Sequence, residues 1–124
     1  MPLLETAIVA SDWLKSEEPN YASRSTGILA GGQGKLKSGT VLAKVGAKFV
    51  VAAAAGADGS QTAVAILAFA ADATSADVPI VVVDERATVS HNGLTWGPSI
   101  NDAAKRAAAI AQLRAVHIKT REGA

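Results

Sequence analysis

Apolar and polar positions alternate with a period of two along much of the chain beyond residue 35, which is the signature of half-buried strands. Thr40–Val45 sets Val41, Ala43 and Val45 against Leu42 and Lys44, and so predicts a strand. Gly46-Ala47 follows, with glycine at the first central position as a type II′ turn prefers, so Lys48–Val51 is the predicted return strand. Gly56–Gly59 forces a loop. Gln61–Phe69, carrying Val64, Ile66, Leu67 and Phe69, reads as a buried strand, and Asp72–Asp77 as a polar loop. Val78–Val83 is a nearly continuous β-branched run. Its Pro79 cannot donate to a ladder, so this strand starts late or lies on an edge. Ala87–Ser90 is a short strand, and Asn92-Gly93 predicts a hairpin turn between Val89 and Leu94.

The period changes after Pro98. Ile100, Ala103, Ala104, Ala107, Ala108 and Ala111 fall at helical spacing, with Ser99 as N-cap and Asp102 three residues on, as in a capping box. Leu113–Lys119 alternates again and reads as a closing strand with His117 on its outward face. The resulting fold class is mainly β with one C-terminal α-helix. Residues 1–34 show no sustained period. Ser16–Ser25 is polar, and Gly31, Gly32 and Gly34 close the segment. Such a stretch lacks the apolar content to fold alone. It does carry Trp13 and Tyr21, residue types that anchor interfaces. Residues 1–34 are therefore read as a flexible N-terminal arm that orders on a partner, and residues 35–124 as the β-rich domain.

Composition narrows the function. A chain of 124 residues fits one domain. With no cysteine it holds no disulfide, thiolate metal site or nucleophilic thiol. Lys and Arg number 12 against 11 Asp and Glu, and no basic cluster marks a phosphate-binding face. Two Trp, one Tyr and two Phe are too few for a base-stacking platform. No apolar run approaches the ~20 residues of a membrane helix. The first ten residues carry Glu5 and no basic region, which argues against a secretory signal. Twenty-seven residues are alanine, which buries little area, so the core is thin and stability is expected to be shared with a partner.

No catalytic constellation stands out. Gly31–Lys35 resembles a phosphate loop only superficially, because Leu29 stands where its first glycine belongs and Leu36 where Ser or Thr belongs. His91 and His117 lack a third metal ligand nearby in sequence. Ser90 and His91 are neighbours that point to opposite faces of a strand, so they form no nucleophile–base pair. Asp58, Asp72 and Asp77 sit where Asp side chains cap turns. The sequence thus predicts a protein that is not an enzyme, with no catalytic, cofactor or metal residue.

Several segments, taken in order, carry a resemblance. Gly32–Leu42, with Gly-Thr-Val-Leu at its end, Ala57–Leu67, with its Ala-Asp-Gly, Val83–Ala87 and Leu94–Trp96 resemble the phage head decoration proteins, the family of the lambda-type capsid-stabilising protein. Asp102–Ile118 fits that family's terminal helix and strand, and Trp13–Glu17 with Ser23-Arg24 resembles the arm of its bacterial and prophage members. This chain has one extra residue in the Gly-rich part, and Ala65 where glycine is usual. The resemblance implies a β-clip-like bent ribbon or incomplete barrel. It implies a structural virion protein that binds the outside of the expanded capsid as trimers at local three-fold positions and stabilises the shell. Its partners would be the major capsid protein and itself, the trimer forming in solution or only on the shell. No cofactor, nucleic acid or membrane is implied, and assembly would take place in the host cytoplasm. Trp13, Tyr21, Arg24, Ile28 and Leu29 are the candidate capsid-binding residues of the arm. Two alternatives are a trimeric β-clip nucleotide hydrolase of the dUTPase type, whose Gly-x-Ile-Asp-x-x-Tyr motif is absent, and another virion component such as a tail or baseplate protein.

Overall fold

The computed structural model describes residues 14–17, 24–54, 56, 58–84, 87–90 and 93–121. Its elements run β1 (Leu14–Glu17), β2 (Arg24–Leu29), β3 (Gly34–Leu36), β4 (Val41–Val45), β5 (Lys48–Val51), β6 (Ala63–Leu67), β7 (Ala71–Ala73), β8 (Val78–Val83), β9 (Ala87–Ser90), α1 (Ala103–Ala115) and β10 (Ile118–Arg121). Strands β2-β5-β4-β6-β8 close a barrel, β1-β9-β10 form a second sheet, and β3 pairs with β7. The mainly-β class with one C-terminal helix holds. The barrel is closed because β2, from the segment read as arm, pairs with β8 over six residues and with β5 at Leu29 and Phe49.

Two cores share the central strands. Alternation on β4 sends Leu42 into the barrel and Val41 and Ala43 outward. The barrel interior holds Leu29, Leu42, Phe49, Leu67, Ile80 and Val82, all buried. On the outside, Val41, Ile66 and Val83 meet Val89 of β9, Leu113 of α1 and Ile118 of β10. Strand β6, and β8 at Val82 and Val83, are therefore covered on both faces, and there the sequence reads as a continuous apolar run. Burying each large side chain is worth roughly 1.5–3 kcal/mol.

The first hairpin follows its sequence signal. Gly46 has φ 62 and Ala47 is not in the left-handed region, as a type II′ turn requires, and β4 pairs with β5 from Val45 and Lys48 back to Leu42 and Val51. Pro79 lies near the start of β8, opposite Ile28 of β2, while β6 reaches β8 only at Val82 and Val83 in the ladder. At Pro79 only one side of β8 is flanked by a strand, and there a missing donor is tolerated.

Several expectations are corrected. The polar loop from Asp72 begins inside a strand, since Lys35 pairs with Asp72 across β3 and β7. Phe69 is not a buried strand residue: β6 ends at Leu67, and Phe69 is 53% exposed in the bend that follows. Asn92 lies outside the described residues, and among those described no ladder joins β9 to residues 94–96. Thr95 instead bridges in parallel to Thr40, and β9 lies between β1 and β10. The helix starts at Ala103 with Asp102 as its N-cap, accepting from the Lys105 N–H at 2.9 Å. Ser99, expected to cap it, accepts from the Ala54 N–H at 2.9 Å. Leu113 is helical, and β10 begins only at Ile118 after His117 turns the chain at φ 66. Ala109 and Leu113, not the alanine stripe, face the core, because alanine carries too little area to set a helix's orientation against leucine.

Two tests follow from this packing. A Cβ on Gly27 would lie 2.5 Å from Cε2 of the buried Phe49 ring. Gly27→Ala is expected to lower stability by about 1–3 kcal/mol in urea denaturation, as overpacked cores do. In the Phe49→Leu background the cost shrinks, giving a non-additive cycle. Asp77 receives the Lys48 ammonium at 2.5 Å and the Gly31 N–H at 2.7 Å. These two groups, Lys48 foremost, hold its carboxyl below the ordinary 3.8. A lowered folded-state pKa contributes stability above the ordinary value and loses it as pH falls through the folded one. Asp77→Asn is therefore expected to flatten the fall in melting temperature between about pH 5 and pH 2, measured at low salt.

Candidate functional site

A surface site has to be looked for where the fold leaves apolar side chains uncovered. Along β2 the odd positions Gly27 and Leu29 turn into the barrel, while Thr26 and Ile28 are exposed. In the antiparallel register Ile28 stands beside Pro79 and Thr26 beside Val81. Phe69 completes this face: with Thr26, Ala70, Ala71, Pro79 and Val81 it lines a shallow groove of about 260 Å³. Ile28 at 39% and Phe69 at 53% are the exposed large hydrophobics among the described residues. Both lie on this one face, which α1 and the β1-β9-β10 sheet leave open.

Charge frames the patch. The Arg24 guanidinium lies 5.7 Å from the centre of the Phe69 ring, within cation–π range. Near the Ile28 end, the Lys48–Asp77 pair and the Asp77–Gly31 hydrogen bond tie the turn after β2 to the loop before β8. Leu29 and Phe49 anchor the strand beneath it. The patch therefore rests on rigid elements, with an aromatic and a β-branched side chain offered to solvent and an arginine at one end. Such a composition marks a macromolecular interface rather than a catalytic centre.

The residues expected to bind a partner fare differently. Trp13 and Tyr21 lie outside the described residues. Arg24 and Ile28 are brought together on the exposed face of β2, with Ile28 on the outward side of the strand and Arg24 over Phe69. Leu29 has 0% exposure and points into the barrel, so its side chain is core and not surface. It follows Ile28, and neighbours on a strand face opposite ways. Phe69 and Pro79 were missed. The signal for Phe69 was an aromatic directly after a strand and before Ala70-Ala71, where a buried strand reading absorbed it.

Chemistry is sparse elsewhere. The Gly31 N–H in the Gly-rich loop is occupied by a carboxylate of the same chain, Asp77, and not arranged around a free cradle. Asp58 accepts from the Ser60 hydroxyl and N–H, and Asp72 from the Thr74 hydroxyl and N–H, which holds both carboxyls below their ordinary pKa. These are turn caps. His117 is exposed in the turn between α1 and β10. His91 lies outside the described residues. Among the described residues no three His, Cys, Asp or Glu side chains gather to hold a metal ion, and no helix is long and apolar enough to cross a membrane.

No curated protein matches the chain. The family model described as bacteriophage lambda head decoration protein D matches residues 3–118, nearly the whole length, and covers the barrel, α1 and the first residue of β10. With a mainly-β fold, one late helix and an open apolar face on a rigid strand pair, this chain belongs to the bacteriophage lambda head decoration protein D family.

Proposed function

We propose that this protein binds the outer surface of the expanded phage capsid, as trimers at local three-fold positions, and stabilises the shell. Family membership supports a capsid-associated structural role. The observation that supports the finer reading is the apolar face of Ile28, Phe69 and Pro79, exposed among the described residues. An exposed aromatic beside an aliphatic is the kind of centre around which interfaces concentrate their binding energy. The shell partner is the major capsid protein.

The N-terminal segment adds to this contact. Trp13 and Tyr21 anchor it to the shell, and Arg24 and Ile28 continue it onto the barrel. Leu29 serves it indirectly, by fixing the register of β2 from inside. Extended segments bind partners through main-chain hydrogen bonds added to a sheet, with little demand on side-chain identity. A protein that binds only the expanded lattice stabilises that lattice by mass action. The role is mechanical and needs no catalytic group, and assembly takes place in the host cytoplasm.

Co-sedimentation with empty capsids of the same phage, expanded and unexpanded, tests the reading. Saturable binding to the expanded form alone is expected, and binding to neither would end it. Phe69→Ser and Trp13→Ala are each expected to weaken binding by about 2 kcal/mol or more, as interface anchors do. Leu29→Ala is expected instead to lower folding stability by about 2–5 kcal/mol.

A further inference from the structure

A second groove lies on another part of the molecule, where the β3 segment faces residues 95–98. Gln33, Lys35, Lys37, Val51, Trp96 and Pro98 are among its lining residues, and it encloses about 390 Å³. We propose that this groove takes an extended acidic segment of the shell subunit, added as a strand along the open part of β5. This docking rests on the capsid-binding role proposed above and assigns to it a second surface and the chemistry of the segment received.

The seam itself is the first observation. β5 meets β2 at one position of the ladder, Leu29 and Phe49, where the Ala30 N–H also donates to the Phe49 carbonyl at 2.9 Å. Two residues on, the Val51 N–H points to the same side, and among the described residues no strand lies beside it. It donates instead to the side-chain Oε1 of Gln33 at 2.9 Å. A glutamine amide thus stands where a neighbouring strand's carbonyl belongs. Exchanging one neutral acceptor for another is nearly neutral in free energy, so an incoming backbone can replace it.

Charge is the second observation. Lys35 and Lys37 are exposed, they flank half-buried Leu36, and among the described residues no acidic side chain lines the groove. Lys35 also faces Asp72 across the β3–β7 ladder, so Lys37 is the less compensated of the two. Residues two apart on an extended chain lie on one face, ~7 Å apart. An added strand with carboxylates at alternate positions matches that spacing. Trp96, half-buried, and Pro98 give the segment an apolar surface to lie on.

The test compares full-length variants for binding to expanded empty capsids of the same phage. Lys35→Glu with Lys37→Glu is expected to weaken binding by about tenfold or more at low salt, with a smaller difference as salt rises. Gln33→Ala removes the acceptor that the incoming strand must displace from the Val51 N–H, and is expected to tighten binding. Circular dichroism and thermal melts check that each variant folds, and Lys35→Ala with Lys37→Ala replaces the reversal if that variant unfolds. Unchanged affinity of the lysine variants, with the original protein binding saturably, would overturn the groove while leaving decoration intact. A large loss with folded Gln33→Ala would overturn the added strand. Failure of the original protein to bind any capsid would overturn both proposals.

Discussion

Closure of the barrel depends on how β2 seats against Phe49. β8 holds β2 along its whole length, but the return to β5 runs through one residue pair and one further hydrogen bond. What makes that contact firm is the Phe49 ring, which fills the space beside Gly27 where any other residue would place a Cβ. The ring closes the interior and positions the seam at once. The groove beside Val51 is a consequence of where β2 ends its run along β5, and the exposed face of Ile28 and Phe69 of where β6 stops.

The thin, alanine-rich composition becomes workable because the central strands are used twice. Val41 and Leu42, or Val82 and Val83, are adjacent in sequence but buried in different cores. Small residues then fit where layers come close: Ala43, Ala63 and Ala68 are buried between the barrel and the elements packed over it. Gln112 joins those layers through polar contacts, accepting from the Ala63 N–H and donating to the Gln61 carbonyl. The alanines of α1 outside this contact are exposed.

Local signals were legible wherever the physics is local. The Gly46-Ala47 turn, the strand after it and the turn caps of Asp58 and Asp72 are all decided by residues within a few positions of one another. Pairings set by distant residues were not. Nothing near Arg24–Leu29 announces a barrel strand, because its partners are at residues 78–83 and 49. The same blindness hid β7, which is strand only because β3 lies beside it, and made Asn92-Gly93 read as a hairpin when Thr95 was bound to Thr40. Half of the candidate surface followed: Arg24 and Ile28 were found as polar and apolar residues on a segment in need of a partner. Phe69 was not, because exposure depends on where β6 stops.

Pro79 has a consequence before the chain is folded. Val78–Val83 is a six-residue apolar strand, the kind of segment that in an unfolded chain pairs with copies of itself. A proline near its start removes a donor and interrupts any continuous intermolecular ladder there. In the native barrel that interruption falls where β6 does not reach, so it costs little. The residue that shapes one end of the apolar face thus also acts as a gatekeeper against self-assembly of the wrong kind, in a chain whose finished surface leaves a phenylalanine open to solvent.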